Sequence, residues 1–500
     1  MKNFQRQKLP GALLITLLFA AASVAQVSNS PSSSANSLYG SVTTGPAVEA
    51  VLPLSLDDAI RRGLQANLQT TLARQNQQIA SGERLEAINY LMPTVTWEAE
   101  RQRLQINLAA EGFSAKLIKR FPPEFIPPSI PAVVTVNTVI GQANFDQSLF
   151  DLRSFELYRA AKEEISAVDF SYQSARGAVI QTVADSYLQA LAAAANLANA
   201  QGLLSTNAEI LRQATLKHQA GVVAKLDELR ARVQYQQQQQ VVIAQQNEFE
   251  KAKIILNREI GLPADQKIQL TDETPYAALS TMPLDEALPL AYANRQEYLY
   301  LKAKLRSAQY QSRAARYERL PTLDFNSNYG VTGTVGSVYH GTFLAQGTLS
   351  VPLFREAKFR GDRDVANAAT SKAMAQLANF RQQIEAEIRD NMLDVASTEQ
   401  LVAVARSNVD LSHASLNDAT DRFRNGIDND LPVVEAQSTL ATAQAQLVNS
   451  LYEYNVAKIA LARSLGIIDR QYRQYLGSAE SATQPTDNQP GDVTARAAIR

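Results

Sequence analysis

Cysteine is absent from this chain. Disulfides therefore contribute nothing to the fold, and an acylated N-terminal cysteine is not expected as an anchor. The three histidines, His218, His340 and His413, stand far apart and outside any HExxH pattern. With no cysteine beside them they give no metal-ligand spacing, and nothing favours a Ser-His-Asp site, so neither a cofactor nor enzymatic chemistry is expected. Charge of one sign is also missing: 48 basic residues face 49 acidic ones, a net −1. That balance gives no reason to propose nucleic acid as a partner. After Ala22 there is no apolar run of about 20 residues, so any membrane crossing must be made by strands of a closed barrel.

What is present begins with Lys2, Arg6 and Lys8, an apolar run from Gly11 to about Ala22, and small residues at Ser23 and Ala25. This is the pattern of a secretory signal peptide cleaved after Ala25, too short to remain as a spanning helix. Residues 26–51, rich in Ser, Asn, Gly and Thr, are expected to be a flexible N-terminus. The tail of the C-terminal segment 467–500, from about Ser478, has the composition of a disordered segment.

Between these ends the chain is written twice. Gly221, Leu226, Ala231 and Gly261 recur as Gly426, Leu431, Ala436 and Gly466 at one offset of 205. Leu56 to Pro93 and Leu284 to Pro321 match at an offset of 228, with one internal gap expected. Such self-similarity marks a tandem repeat, here 52–261 and 282–466 joined by a linker at 262–281.

Each repeat opens with a helical stretch. Ser55 is a plausible N-cap with Asp57 and Asp58 in the first turn, and Leu91-Met92-Pro93 is a stop. After each proline the period falls from about 3.6 to 2. Leu323, Phe325, Tyr329 and Val331 alternate with Asp324, Asn326, Asn328 and Gly330, and Val95, Trp97 and Ala99 do likewise. This predicts one β-hairpin per repeat, at about 94–149 and 322–354. Alternation of this kind suits a membrane barrel as well as a soluble sheet with one wet face. The first hairpin loop is longer and contains FPPEFIPPSIP, an irregular stretch by its prolines.

Long helices follow. Proline is absent from Asp151–Gln219 and from Arg355–Arg424. Some 65 helical residues extend ~100 Å at 1.5 Å per residue. Ile384, Ile388, Met392, Val395 and Val402 form a narrow apolar seam at helical spacing, as in helices laid side by side. A shorter helix then runs back from each glycine turn, Gln236 to Gln240 being a polar face of the first one.

An exported tandem repeat with two hairpins and long helices turning at glycine resembles the TolC family of outer-membrane efflux proteins. The resemblance is carried by LSLDDAI and MPLDEAL, by Met92-Pro93-Thr94 and Leu320-Pro321-Thr322, by Pro352-Leu353-Phe354 and by the two glycine turns. It covers roughly residues 52–476. It implies a mainly α fold with a β-barrel part: a homotrimer forming a 12-stranded outer-membrane barrel continued by a long α-helical periplasmic tunnel. The implied function is the exit duct of a tripartite efflux system, passively conducting small molecules. Its implied partners are a periplasmic adaptor, an inner-membrane pump and outer-membrane lipid.

The resemblance also places candidate residues. The periplasmic tips, where an adaptor docks, become Gly221-Val222-Val223 and Gly426-Ile427. An ordinary helix C-cap with an apolar contact beyond it is the alternative. Carboxylates just inside the tip, forming lumen rings, become Asp227, Asp428, Asp430 and Glu435. The chain departs from an Asp-to-Arg lock: Pro432 stands where a further Asp is often found, and Asp428 where a basic residue can hold the tip closed. Repeated on three chains, these acids would favour cations at the constriction, although Asp428 and Asp430 also suit a solvated helix start.

Two rivals differ in kind. A type I protein-secretion duct would share the fold, and the cargo depends on the pump. Five scattered methionines give no support to a copper or silver route. A periplasmic adaptor would have one helical hairpin, not two copies of hairpin and helix.

Overall fold

The computed structural model describes residues 40–476 except 44, 109, 112–132, 273–275, 281, 426 and 428–430. The expected signal peptide, the Pro-rich loop, the tail from 478, and Gly426, Asp428 and Asp430 lie outside the described residues. The first half supplies β1 (Leu52–Leu54), α1 (Leu56–Ala66), α2 (Leu68–Asn89), β2 (Thr94–Asn107), β3 (Val133–Phe150), α3 (Leu152–Gln219), α4 (Lys225–Glu259) and β4 (Ile268–Leu270). The second supplies α5 (Leu284–Asn294), α6 (Gln296–Tyr317), β5 (Thr322–Thr334), β6 (His340–Ser350), α7 (Glu356–Arg424), α8 (Leu431–Ser464) and α9 (Ile468–Leu476).

The opening helix of each repeat is broken, where the sequence suggested one continuous helix. Asn67 takes extended backbone (φ −63°, ψ 135°), ends α1 and caps α2 by accepting from the Gln69 N–H. Arg295 breaks the second copy in the same way (φ −70°, ψ 114°). The bounds 56–66 and 68–89 recur as 284–294 and 296–317, so the expected internal gap is not needed. The reason for the break is tertiary, because the glycine turns ending α4 and α8 pack into these two joints. A Cβ on Gly261 would meet Ala66 Cβ, and one on Gly466 would meet the Arg295 and Asn294 backbone.

Residues 40–43 are also tied down, although the sequence suggested a flexible segment. Ser41 N–H donates to the Arg258 carbonyl (3.0 Å) and Val42 N–H to that of Ala66 (2.9 Å). The linker is not a bare connection either, since β4 pairs in parallel with β1, Leu52 beside Ile268. Tyr187, fully buried on α3, bonds through its hydroxyl to the Leu54 carbonyl (3.0 Å) and to Asp272 (2.9 Å).

The other four strands form one antiparallel sheet in the order β2-β3-β5-β6. β6 stops at Ser350, short of the expected 354, because Pro352 has no N–H to donate. Phe354, beyond it, is 92% exposed. The sheet has two unlike faces. One carries Val95, Trp97, Phe145, Tyr329 and Phe343. The other is polar and internally bonded, with Asn144 to Glu98 at 3.2 Å and Asn326 to Asp146 at 2.7 Å.

α3 and α7, 68 and 69 residues long, run away from this sheet. Asp151 caps α3 by accepting from Arg153 and Ser154 N–H groups at 2.9 and 3.2 Å. Near the sheet the helices lie in the order α2-α3-α6-α7; farther away the order is α4-α3-α8-α7. The seam residues Ile384, Ile388, Val395 and Val402 are fully buried, each worth roughly 1.5–3 kcal/mol of apolar burial. The main core gathers where they meet α1, α3, α8 and α9. Among the described residues no helix is long and apolar enough to cross a membrane.

Candidate functional site

The far end of the helices is made of two turns. α3 ends in a Schellman motif: Gly221 N–H donates to the His218 carbonyl and Val222 N–H to that of Lys217, both at 2.9 Å. Gly221 takes φ +73° with nothing within 4 Å of a Cβ position, so the glycine serves backbone conformation alone. At the second turn Ile427 N–H donates to the Arg422 carbonyl at 2.9 Å, the same closure. Both turns are therefore proper helix ends. Their apolar residues nonetheless point outward, with Val222 71% and Ile427 64% exposed, while Val223 is half-buried.

Below the turns a small core of Leu203, Leu416, Phe423, Val433 and Leu440 joins α3, α7 and α8. Lys217 extends it by lying over the Phe423 ring, 4.3 Å from its centroid. The first turn is braced by charge. Buried Glu228 accepts from Lys225 (2.6 Å) and Arg232 (3.1 Å), and His218 Nε2 stands 3.9 Å away. The Lys225 hydrogen bond holds the Glu228 carboxyl below the usual carboxylate range. His218 Nδ1 faces the Val223 carbonyl at 3.2 Å, so one imidazole bridges the turn and the return helix.

The candidate acids are not equivalent. Asp227 is partly exposed and has its own cation, Arg230, at 3.8 Å. Glu435 is exposed on α8, and its carboxylate pairs with no cation among the described residues. At the repeat offset of 205, Arg230 occupies the position of Glu435, so the two turns carry opposite charge at this level. Gly426, Asp428 and Asp430 receive no placement. Sequence reading passed over Glu228, although Lys225 three residues before it and Arg232 four after it were a legible signal. It named Val222 but passed over the exposed stripe that continues from it through Leu226, Leu229 and Val233, at steps of four, three and four. Among the described residues no cluster of His, Asp or Glu could hold a metal ion.

Comparison with known proteins agrees with this architecture. The family model described as "Outer membrane efflux protein" matches residues 134–262 and 287–467, more than half of the chain. The toluene efflux pump outer membrane protein TtgF of Pseudomonas putida is 27% identical over 325 residues, covering 63% of this chain. The match spans 66% of that relative's own length. The outer membrane protein TolC of Escherichia coli is 21% identical over 374 residues, 72% of this chain and 75% of TolC. Among solved structures, the Campylobacter jejuni CmeC outer membrane channel superposes with a TM-score of 0.68 at 18% identity, covering 83% of this chain and 86% of CmeC. The fold is thus TolC-like, and the chain belongs to the outer membrane efflux protein family.

Proposed function

We propose that this chain is the exit duct of an efflux assembly, a homotrimer in the outer membrane that passively conducts small molecules. In this reading it is a channel and not an enzyme. The observation that carries it is that both layers of the fold end in unsatisfied edges. The sheet ends in β2 and β6, whose outer N–H and C=O rows have no partner strand among the described residues. Such edges are untenable in lipid unless the sheet closes. The helical layer ends in α2 and α7 near the sheet and in α4 and α7 farther away. α4 exposes Leu226, Leu229, Val233, Val241, Ile243 and Ile254, and the far part of α7 exposes Leu393, Leu401, Val404 and Leu411. Leu226 to Val233 and Val404 to Leu411 are each one heptad, the spacing of a seam awaiting a helix. One heterologous contact, β2, α2 and α4 of one copy against β6 and α7 of the next, satisfies every edge, and three copies close it as a ring.

Conduction then follows from the two sheet faces. The apolar face meets lipid, and the face with Glu98, Asn144, Asp146 and Asn326 lines water. At the other end, Val222 and Ile427 offer a periplasmic adaptor an aliphatic surface, with the inner-membrane pump beyond it. A photocrosslinker at Val222 or Ile427 in intact cells should capture an adaptor. Capture of no periplasmic partner at either position would overturn the docking assignment. An adaptor recovered with a proton-driven pump supports small-molecule efflux, and one recovered with an ATP-driven exporter points to protein secretion.

Glu435, the acid left without a cation, acts in the proposed acidic ring at the constriction, with Asp428 and Asp430 beside it in sequence. Glu435→Ala should lower the cation-over-anion permeability ratio of trimers in planar bilayers by roughly twofold. Asp227→Ala should change it less, because Arg230 already screens that carboxylate. An unchanged ratio in Glu435→Ala would remove Glu435 from the gate.

A further inference from the structure

The strands sort their charges by face. Glu98, Glu100, Asp146 and Asp324 are the only carboxylates in β2, β3, β5 and β6. The register puts Asp146 opposite Thr94, Asp324 opposite Ser148, and Glu98 and Glu100 opposite Gln142 and Ile140. All four therefore lie on the water-lining face. Both arginines of these strands, Arg101 and Arg103, lie on the other face, in line with Trp97. Both are exposed, and among the described residues neither guanidinium has a carboxylate partner.

Their height is informative. Trp97, Tyr329 and Phe343 stand in one row, since Trp97 pairs with Ala143, Ala143 with Tyr329 and Tyr329 with Phe343. These aromatic side chains point outward, as the interfacial girdle of a barrel does. Arg101 lies four residues farther from the helices than Trp97. At ~3.4 Å per residue and a tilt of about 45°, that is roughly 10 Å beyond the girdle. It is also level with the tip of the second hairpin, since Arg101 pairs with Val139 and Val139 with Gly333, one residue before β5 ends. There the face itself changes, with Arg103 opposite Asn137 and Gln105 opposite Thr135. Closing the trimer does not neutralise the pair, because β6, the strand set beside β2, contains no carboxylate.

We propose that Arg101 and Arg103 bind phosphate groups of outer-leaflet lipid, six guanidiniums forming a basic rim around the trimer. The planar fork of arginine matches phosphate oxygens in a bidentate way, and the strand backbone fixes the spacing of the two side chains. The lipid so held lies against the subunit junction, because β2 is an edge strand. This inference rests on the channel reading, and one experiment separates the two.

Trimers in phosphatidylcholine nanodiscs containing bisphosphorylated lipid A are released into a mass spectrometer under native conditions, which reads chain number and bound lipid together. Wild-type trimers should retain lipid A, and Arg101→Gln/Arg103→Gln trimers about tenfold less. Arg101→Lys/Arg103→Lys should retain an intermediate amount, and lipid A stripped of both phosphates should not be retained by wild type. Equal retention by the glutamine variant, or of the phosphate-free lipid, with three chains in the complex overturns the headgroup inference and leaves the channel intact. A one-chain wild-type species overturns the channel, and the rim with it. Should the glutamine variant fail to assemble, the phosphate-free lipid on wild type still decides.

Discussion

Gly466→Ala is expected to destabilise the protein by about 3 kcal/mol or more, whereas Gly221→Ala should cost only about 1 kcal/mol. Both glycines close helix ends with positive φ, +74° and +73°. The difference lies in what surrounds them. A Cβ on Gly466 would sit 2.6 Å from Arg295 N, 2.6 Å from Asn294 C and 2.7 Å from Arg295 Cα, all backbone atoms that cannot swing aside. A Cβ on Gly221 would meet nothing within 4 Å, leaving only the conformational penalty. Thermal dissociation of purified trimers, read as heat-modifiable gel migration, measures both. Equal losses would show that the joint between α5 and α6 yields to the extra methyl group, which the contact distances forbid.

Arg463→Met should cost about 3–5 kcal/mol at neutral pH, by stranding a largely buried carboxylate. Arg463, on α8, bonds Glu297 of α6 at 2.7 Å and the Ser174 carbonyl of α3 at 3.2 Å. Ser174 donates to the same carboxylate at 2.8 Å, and Arg295 lies 3.5 Å from it. Burial, the largest influence, would raise the Glu297 carboxyl, but Arg463, the Ser174 hydrogen bond, the backbone and Arg295 together more than offset it, and the group titrates below its usual range. For Arg463 the balance is opposite: burial outweighs Glu297 and lowers the guanidinium, which stays charged at any physiological pH. The pair therefore adds little net stability, while the loss of either partner is expensive.

The sign of the pH effect follows. Because the folded-state value of Glu297 lies below its unfolded one, its contribution is fully present above about pH 4.3 and is lost as pH falls through the folded value. In Arg463→Met the carboxyl can escape by taking up a proton. The variant's deficit should therefore shrink between pH 7 and pH 4. A deficit independent of pH would mean that lost packing of the arginine stem, not stranded charge, is what the substitution costs.

The two remaining structural surprises share one cause. Nothing in the run from Leu56 to Asn89 announces a break at Asn67, since Ala66-Asn67-Leu68 is acceptable helix. The break exists because the glycine turn ending α4 needs that space. β1 and β4 are three residues each and lie more than two hundred residues apart, so neither has a periodic signal of its own. Both features are products of contact between the start of a repeat and the chain at or just beyond its end, and local sequence does not encode contact at that distance.

The sequence by itself determined the duplication, the long helices with their glycine turns and the change to strand periodicity after each proline, because each depends on local spacing and local backbone freedom. Val222 and Ile427 at the turns were legible for the same reason. Which candidate acid is screened was local too, because Arg230 stands three residues after Asp227 and no Lys or Arg stands within four residues of Glu435. Only the tertiary structure decided which joint each glycine turn fills. It alone also divided the strands into a face with every carboxylate and a face with both arginines. That division depends on the register between strands, and register is fixed by pairing across the sheet, which no single strand contains.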